Sequence, residues 1–323
     1  MPFKRMKWVA AVCLGLSMTA GAAADDFPSR PLTVVSPFPA GGATDTLTRL
    51  VVERMSKPLG QAVIVENRAG AGTAIGAAAV ANSRPDGYTF LMATNSTLVT
   101  NRYLYQTLSY DPDSFTPIGM VGIGPLVLLS SQKRPFKNTK DLVDYAKKHP
   151  GELTFATFGA GTSSHLAAEM FMDKAGIKML HVPYKGATQA LPALISGDVD
   201  VFFDMVATGM PQVKADKMNV FGITSKERLE SEANIPTFVE QGYAGFDLPA
   251  WFSFVAPKGT PPAAVEKLQA ALKEALKDET VRSRMLSMGI QPADGSAEAL
   301  VTKMNDEKPV VEALIKQGNI TIQ

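Results

Sequence analysis

The sequence predicts an α/β fold of two lobes, each a sheet covered by helices, facing one another across a cleft. Three observations carry this expectation. Short apolar runs alternate with stretches of helical period, and the alternation occurs twice. Two further apolar runs, 118–131 and 250–257, interrupt it and read as strands crossing between the lobes. A glycine-rich turn joins a strand to a helix in each half. One large α/β domain, or two tandem ones, would show much the same pattern, so pattern alone leaves these open.

In chain order, "PLTVVS" (31–36) reads as a buried strand. Leu47, Leu50, Val51 and Met55 then recur at helical spacing, with "KPLG" expected to stop the helix. "AVIVEN" (62–67) is a second strand, "RAGAGTAIGAAAVANS" a small-residue helix with a glycine-rich entrance, and "YTFLMA" (88–93) a third strand. Strand, helix, strand, helix, strand over so short a stretch argues for parallel pairing with right-handed crossovers. Residues 94–118 are less regular. "IGMVGIGPLVLLSS" (118–131) is strand-like but broken by glycine and proline. The alternation then resumes with a helix in "TKDLVDYAKKHP", a strand in "LTFATFG" and a helix in "SSHLAAEMFMDKAG". A strand in "KMLHVPY", a helix in "ATQALPALISG" and a strand in "VDVFFDMV" follow, then a helix and the strand "NVFGIT". "AWFSFVAP" (250–257) is the second crossing, and the tail is helical. The expected division is 25–122 plus 251–323 for lobe 1 and 123–250 for lobe 2, with hinge crossings near 119–128 and 246–256.

Before the first strand lies a segment of another kind. "MPFKRMK" is basic, "WVAAVCLGLSMTA" is apolar, and "GAAADD" supplies small residues, with Ala22 and Ala24 as an A-x-A pair. This is the layout of a cleaved secretory signal over 1–24. Its apolar run of about 13 residues falls short of the roughly 20 a membrane span needs. The signal holds the one cysteine, Cys13, so the mature chain has no disulfide, thiolate nucleophile or cysteine metal site. Without Lys4, Arg5 and Lys7, 29 basic residues stand against 31 acidic ones, a formal charge of −2. That balance gives no electrostatic case for nucleic acid or an anionic membrane.

The chemistry sits in the two glycine turns, "PFPAGGATD" (37–45) and "FGAGTSSH" (158–165). A helix start has backbone N–H groups without partners and is partly positive. Glycine lets a ligand approach the bare backbone, and such a place favours an anion. Neither turn is a nucleotide signature, and neither supplies a lysine for a polyphosphate. A small carboxylate held by neutral donors suits the residues better. The candidates are Phe38, Ala40, Gly41, Gly42 and Asp45 in the first turn. In the second they are Gly159, Ala160, Gly161, Thr162, Ser163 and His165. Each turn alone is equally at home as an ordinary capped helix start. Asp45 would repel an anion, and its expected role is to fix the loop's N–H groups or an ordered water. Thr94 and Ser96 after the third strand, Tyr184 in "VPYKG" and Asp204 at the end of "VDVFFD" are further cleft candidates. Lys185 is the nearby cation and is expected to be solvated.

These residues bring a family into view. "FPSRPLTVVSPFPAGGATD", "VENRAGAGTAIGAAAVANSRPDGYTFLMA", "LSYDPDSFTPIGMV", "FGAGTSSHLAAEMF", "VPYKGATQALPALISGDVDVFFD" and "WFSFVAPKGTPPAAVEKL" run in order along nearly the whole mature chain. In them the chain resembles the Bug-type (TctC-like) extracytoplasmic solute receptors of tripartite tricarboxylate transporters. The resemblance implies a periplasmic binding protein-like fold of type II, with two α/β lobes around a ligand cleft. It implies that Pro37–Asp45 and Phe158–His165 grip ligand carboxylates through backbone N–H groups, often with bridging waters. It also implies delivery to a permease with a large and a small membrane subunit, from a monomeric receptor in the periplasm with no cofactor. "TFGAGTSS" departs from the commoner Ser-Gly form of the second loop.

The rival reading is a periplasmic hydrolase using Ser163 or Ser164 with His165. The chain has three histidines, His149, His165 and His181, and no G-x-S-x-G elbow, H-E-x-x-H or close His/Asp metal set. Adjacent residues at a helix start do not face each other well, so this reading ranks second. Which carboxylate is bound is not written in these motifs.

Overall fold

The computed structural model describes residues 27–317 and Ile320. The expected signal segment 1–24, with Cys13, lies outside the described residues.

The first sheet opens with β1 (Leu32–Ser36), α1 (Ala43–Leu59), β2 (Val63–Asn67), α2 (Ala74–Ala81) and β3 (Thr89–Thr94). A π-helical turn at Ser96–Thr100 runs into α3 (Asn101–Leu104) and then β4 (Phe115–Gly124). The second sheet holds β5 (Leu126–Ser131), β6 (Thr154–Thr157), β7 (Leu180–Pro183), β8 (Val201–Met205) and β9 (Met218–Ile223). Its helices are α4 (Thr139–Lys148), α5 (Ser163–Ala175), α6 (Ala187–Ser196) and α7 (Val206–Lys214). The chain returns to the first sheet through β10 (Ala250–Pro257), followed by α8 (Pro262–Lys277), α9 (Glu279–Ser287), β11 (Gln291–Pro292) and α10 (Ala297–Gln317).

The strand orders are β2–β1–β3–β10–β4–β11 and β7–β6–β8–β5–β9. Apart from the added edge strand β11, they are one order used twice. In each, the first strand lies between the second and third, and a crossing strand sits between the third and fourth. The expected parallel pairing holds for β1 with β2 and β3, and for β6 with β7 and β8. The crossing strands differ. β10 runs antiparallel to β3 and β4, and β5 antiparallel to β8 and β9. A strand that enters a sheet from the neighbouring one runs against the βαβ units already there, so both sheets are mixed.

Two local expectations are met in detail. The run 118–131 is interrupted at Pro125, a residue that has no N–H to continue a ladder, and forms two strands. The first helix stops within "KPLG": Lys57, Pro58 and Leu59 are still helical, and it ends at Gly60. Gly60 takes the left-handed conformation at φ 64 and donates to Lys57 O. Proline in the last turn costs one bond near a helix end, whereas glycine actually stops it.

The cores are apolar and aromatic. Phe90 and Phe254 meet edge to face at 5.2 Å in the first sheet. Phe171, Phe203, Phe238 and Phe246 are fully buried in the second. Each such side chain contributes roughly 1.5–3 kcal/mol on burial. The crossing strand β10 is buried along its whole length, so the link between the sheets is part of the core.

Gly119 on β4 is packed hardest. A Cβ there would lie 2.2 Å from the carbonyl oxygen of Gly295, a backbone atom that cannot swing aside. Gly119→Ala is expected to lower unfolding stability by about 1–3 kcal/mol through overpacking, read as a lower urea midpoint with an unchanged m-value.

Candidate functional site

The loops from β1 to α1 and from β6 to α5 occupy equivalent places in the two strand orders. In each sheet the following connections leave on opposite sides of that first strand, which opens a crevice at its carboxyl end. The loops are also equivalent in backbone. Gly41 has φ +81 and Gly161 φ +79, left-handed values that favour glycine. The next residues, Gly42 and Thr162, are the N-caps, extended at φ −78, ψ 169 and φ −77, ψ 162. Three residues on, a side chain reaches back in each case. Gly41 N–H donates to Asp45 Oδ2 at 2.9 Å, and Gly161 N–H donates to His165 Nδ1 at 3.2 Å.

Asp45 is held on every side. Its oxygens also accept from Asn67 Nδ2 at 2.8 Å and from Arg49 Nε at 3.0 Å. Burial alone would raise its pKa, but the hydrogen bonds from Arg49, Gly41 and Asn67 outweigh this and hold it below the usual carboxylate range. The sequence reading expected Asp45 to fix the loop's N–H groups despite a charge that would repel an anion; it does accept the Gly41 N–H, and Arg49 pairs with its charge from one turn further along α1.

In the second loop the acceptor is a ring nitrogen: His165 Nδ1 takes the Gly161 N–H, and Nε2 faces Glu169 Oε1 at 3.4 Å. Behind it His181 stacks with ring centroids 4.2 Å apart. Burial, helped by His165, pushes His181 down to about 3, so it is neutral at ordinary pH. His181 Nε2 lies 2.7 Å from Thr157 Oγ1, which accepts the Gly159 N–H. The Ser–His pair of the hydrolase reading is not formed. Ser164 Oγ donates to Phe203 O at 2.7 Å, and both His165 nitrogens are engaged elsewhere.

Between the loops lies a cavity. Four helix starts border it: Gly42–Thr44 of α1, Ser163 of α5, Gly186–Thr188 of α6, and Met205 and Thr208 of α7. None of their N-caps carries a side-chain hydrogen bond. Of the helices that start elsewhere, Asn138 caps α4, Asp278 caps α9, and Ser296 Oγ accepts Ala299 N–H at the start of α10, whereas α2, α3 and α8 have no side-chain cap. What sets α1, α5, α6 and α7 apart is that their uncapped starts converge on one cavity. Thr94, Asn95 and Ser96 after β3, with Ala250 and Phe252 of β10, line the rest, and no charged side chain does.

The sequence candidates therefore separate. Phe38, Gly42, Thr94, Ser96 and Ser163 line this cavity. Gly159, Ala160 and Tyr184, with Lys185 and Tyr105, line an outer groove beyond Phe38 and Phe158. Those two rings border both spaces and meet edge to face at 6.3 Å. Ala40, Gly41, Asp45, Gly161, Thr162, His165 and Asp204 line neither space. The starts of α6 and α7 were missed. "KGAT" (185–188) carries a weak signal, a glycine between strand and helix. α7 carries none, because β8 passes into it without a loop. The lobes touch at the rim, where a Cβ on Gly72 would lie 2.2 Å from Ala160 O and one on Gly186 2.9 Å from Pro39.

Asp204 is fully buried at the end of β8, beside Gly209 of α7. Neither oxygen has a partner in hydrogen-bonding geometry. Burial lifts its pKa to about 7, with Thr208 and the Met205 N–H pulling weakly the other way. Above its ordinary value of 3.8 the unfolded chain is ionised while the folded one keeps the proton, so stability falls as pH rises from about 4 to about 7. Asp204→Asn is expected to raise the melting temperature at pH 8 and to change it far less at pH 4. A rise of equal size at both would contradict the burial effect.

Similarity to known proteins follows this geometry. The sequence profile of the "Tripartite tricarboxylate transporter family receptor" matches residues 47–320. The periplasmic binding protein BugD is 34% identical with a TM-score of 0.87, covering 92% of this chain and 100% of that one. A protein from R. palustris, Rpa4515, solved with adipate, is 32% identical with a TM-score of 0.89, again covering 92% and 100%. MatC from Rhodopseudomonas palustris, solved with bound malate, is 33% identical with a TM-score of 0.84, covering 90% and 100%.

Proposed function

The chain belongs to the tripartite tricarboxylate transporter receptor family, and from that membership we propose that it captures a small organic carboxylate in the periplasm and delivers it to a tripartite permease. The observation that carries the ligand class is the convergence of four uncapped helix starts on a cavity with no charged wall. Such a place stabilises negative charge through backbone donors and helix dipoles. A cation would meet the positive ends of four helices, and a neutral apolar solute would leave the N–H groups unpaired.

The magnitudes suffice. Micromolar affinity needs about −8 kcal/mol. Hydrogen bonds to a charged group contribute roughly 1.5–3 kcal/mol each, and each helix terminus adds roughly 0.3–2 kcal/mol. Four or five donors outweigh the cost of association. That similar proteins were solved with adipate and with malate supports a dicarboxylate for this chain. In this reading residues 1–24 are the export signal, and 25–122 plus 251–323 close against 123–250. One carboxylate of the ligand meets the starts of α1 and α5, which come from different lobes, so binding favours the closed arrangement. Closure then presents a joint surface to the large and small membrane subunits.

Thermal unfolding of the mature protein against a panel of organic acids tests this. A ligand at a hundred times its Kd stabilises by about 2.7 kcal/mol. Malate, adipate or a related acid is expected to raise the midpoint while its diamide is not; stabilisation by the diamide as well would remove the anion from the account.

Two variants address the loops. Asp45→Ala frees the Gly41 N–H and unpairs Arg49, and is expected to weaken carboxylate binding by about tenfold, ~1.4 kcal/mol, by calorimetric titration. Lys185→Ala alters the outer groove and is expected to leave affinity within twofold. The reverse ranking would move the carboxylate out of the inner cavity.

A further inference from the structure

We infer, resting on the reading of the cavity as a carboxylate site, that Asn95 is its specificity-determining residue and selects an acid that carries a hydroxyl group on its chain. The ligand class narrows from organic acids in general to hydroxy acids.

Among the described residues, two side chains of the cavity wall have buried polar atoms without a hydrogen-bond partner. These atoms are Thr94 Oγ1 and both Oδ1 and Nδ2 of Asn95. Other buried oxygens lack partners, those of Ser36, Thr100, Asn101, Asp204 and Glu307 among them, but none of these residues lines the cavity. Asn95 is fully buried. An asparagine ahead of a helical turn ordinarily caps it. Here Asn95 is itself helical at φ −52, ψ −37, and its side chain caps nothing in the turn Ser96–Thr100. Further along the segment, off the cavity, partners are found. Thr97 Oγ1 donates to Thr73 Oγ1 at 3.0 Å, and Asn101 Nδ2 donates to Gly72 O at 2.9 Å and to Tyr110 OH at 3.1 Å. Of the two asparagines, the one that lines the cavity has neither amide atom engaged.

Position and chemistry together name the ligand group. The helix starts serve the charged ends of an acid, α1 and α5 one carboxylate, α6 and α7 a second. The floor at Thr94 and Asn95 offers no cation. Behind it stands Glu307 of α10, a buried carboxyl that accepts from Trp251 Nε1 at 2.6 Å and lies 3.5 Å from Lys303 Nζ. Glu307 neighbours Asn95 without reaching hydrogen-bonding geometry. A carboxylate on the floor would approach that acid. It would also leave Asn95 Oδ1 unpaired, because both groups only accept. A plain carbon chain leaves all three polar atoms unpaired. An ammonium donates to Oδ1 but cannot accept, and it would sit among the positive ends of four helices. A hydroxyl donates to Oδ1 and accepts from Thr94 Oγ1 or Asn95 Nδ2. Phe38, Phe158 and Phe252 remain for the carbon chain. A site whose buried polar groups await a hydroxyl rejects the analogue that lacks it, since those groups then stay unpaired.

Calorimetric titration of the mature protein with acids matched in chain length tests this. The pairs are malate with succinate, 2-hydroxyglutarate with glutarate, and 3-hydroxyadipate with adipate. In the wild type the hydroxy acid of the best-fitting length is expected to bind at least tenfold more tightly than its plain partner. In Asn95→Leu that gap should shrink to within threefold through loss of the hydroxy acid, while the plain acid keeps its affinity. Asn95→Ala empties the floor rather than filling it and should close the gap in the same way. Aspartate, with an ammonium where malate has its hydroxyl, should bind no more tightly than succinate. In the wild type the hydroxy acid should also shift the Asn95 carboxamide resonances further than its plain partner does, a readout that needs no variant. Four results overturn the inference and leave the carboxylate reading standing: plain acids equal to hydroxy acids at every length, aspartate equal to malate, a gap that survives in the Asn95 variants or vanishes because both acids weaken alike, or equal carboxamide shifts. If no acid of the panel binds the folded protein, the carboxylate reading fails and the inference falls with it.

Discussion

The structure turns on four helix starts that meet at one cavity without a side-chain cap. A buried donor without a partner costs roughly 1–3 kcal/mol, and folded chains usually pair nearly all of them. Among the other helices, α4, α9 and α10 are capped by Asn138, Asp278 and Ser296 and α2, α3 and α8 are not, so it is the convergence on a cavity that distinguishes α1, α5, α6 and α7. On the proposed reading an anion meets their N–H groups and the helix dipoles together, and its own desolvation is offset by groups already aimed at it. Neutral donors on a shaped, partly aromatic wall leave selection to the organic part of the acid.

Keeping donors open requires that the loops carrying them be fixed by something else. In both loops the fixing is done from behind. The glycine before the cap is tied to the side chain three residues past the cap, and that side chain is anchored in turn. Asp45 is anchored by Arg49 and Asn67, and His165 by Glu169 and the stack on His181. At the first loop Arg49 pairs with the Asp45 carboxylate, so that support does not oppose an anionic ligand. Equivalent positions in the repeated strand order explain why the same solution appears twice, although the two loops share little sequence beyond glycine.

Much of this was legible in the sequence and some was not, for physical reasons. Strands and helices with clear periods were legible, as with β10 over 250–257 and α5 after "FGAGTSS", because burial imposes the period directly. The glycine turns were legible because left-handed backbone leaves glycine little competition. The antiparallel crossing strands were not, since strand direction within a sheet depends on where the chain re-enters it rather than on local pattern. Asp45 was legible as a residue that fixes the loop's N–H groups, but the partner for its charge, Arg49, was not, because it belongs to the helix pattern and carries no mark of its purpose. The start of α7 was invisible because β8 becomes helix with no turn residues between them. His165 was legible as a candidate, but a sequence cannot say which ring nitrogen accepts, and that choice decides whether the residue is a nucleophile's partner or a loop's anchor.

The division of the donors between lobes has a further consequence for closure. α1 belongs to the first sheet, and α5, α6 and α7 to the second. An acid resting on the second sheet alone has three helix starts but lacks the α1 loop and the floor from Thr94 to Ser96. The lobes meet at Gly72 against Ala160, Gly186 against Pro39 and Phe38 against Phe158. On the proposed reading an anion shared by α1 and α5 adds to these contacts, because it gains donors from both lobes only when they meet. A ligand that bound one lobe fully would have no differential affinity for the closed state and would not drive the change. On the proposed reading the uncapped helix starts of both lobes thus serve capture and closure by the same interaction.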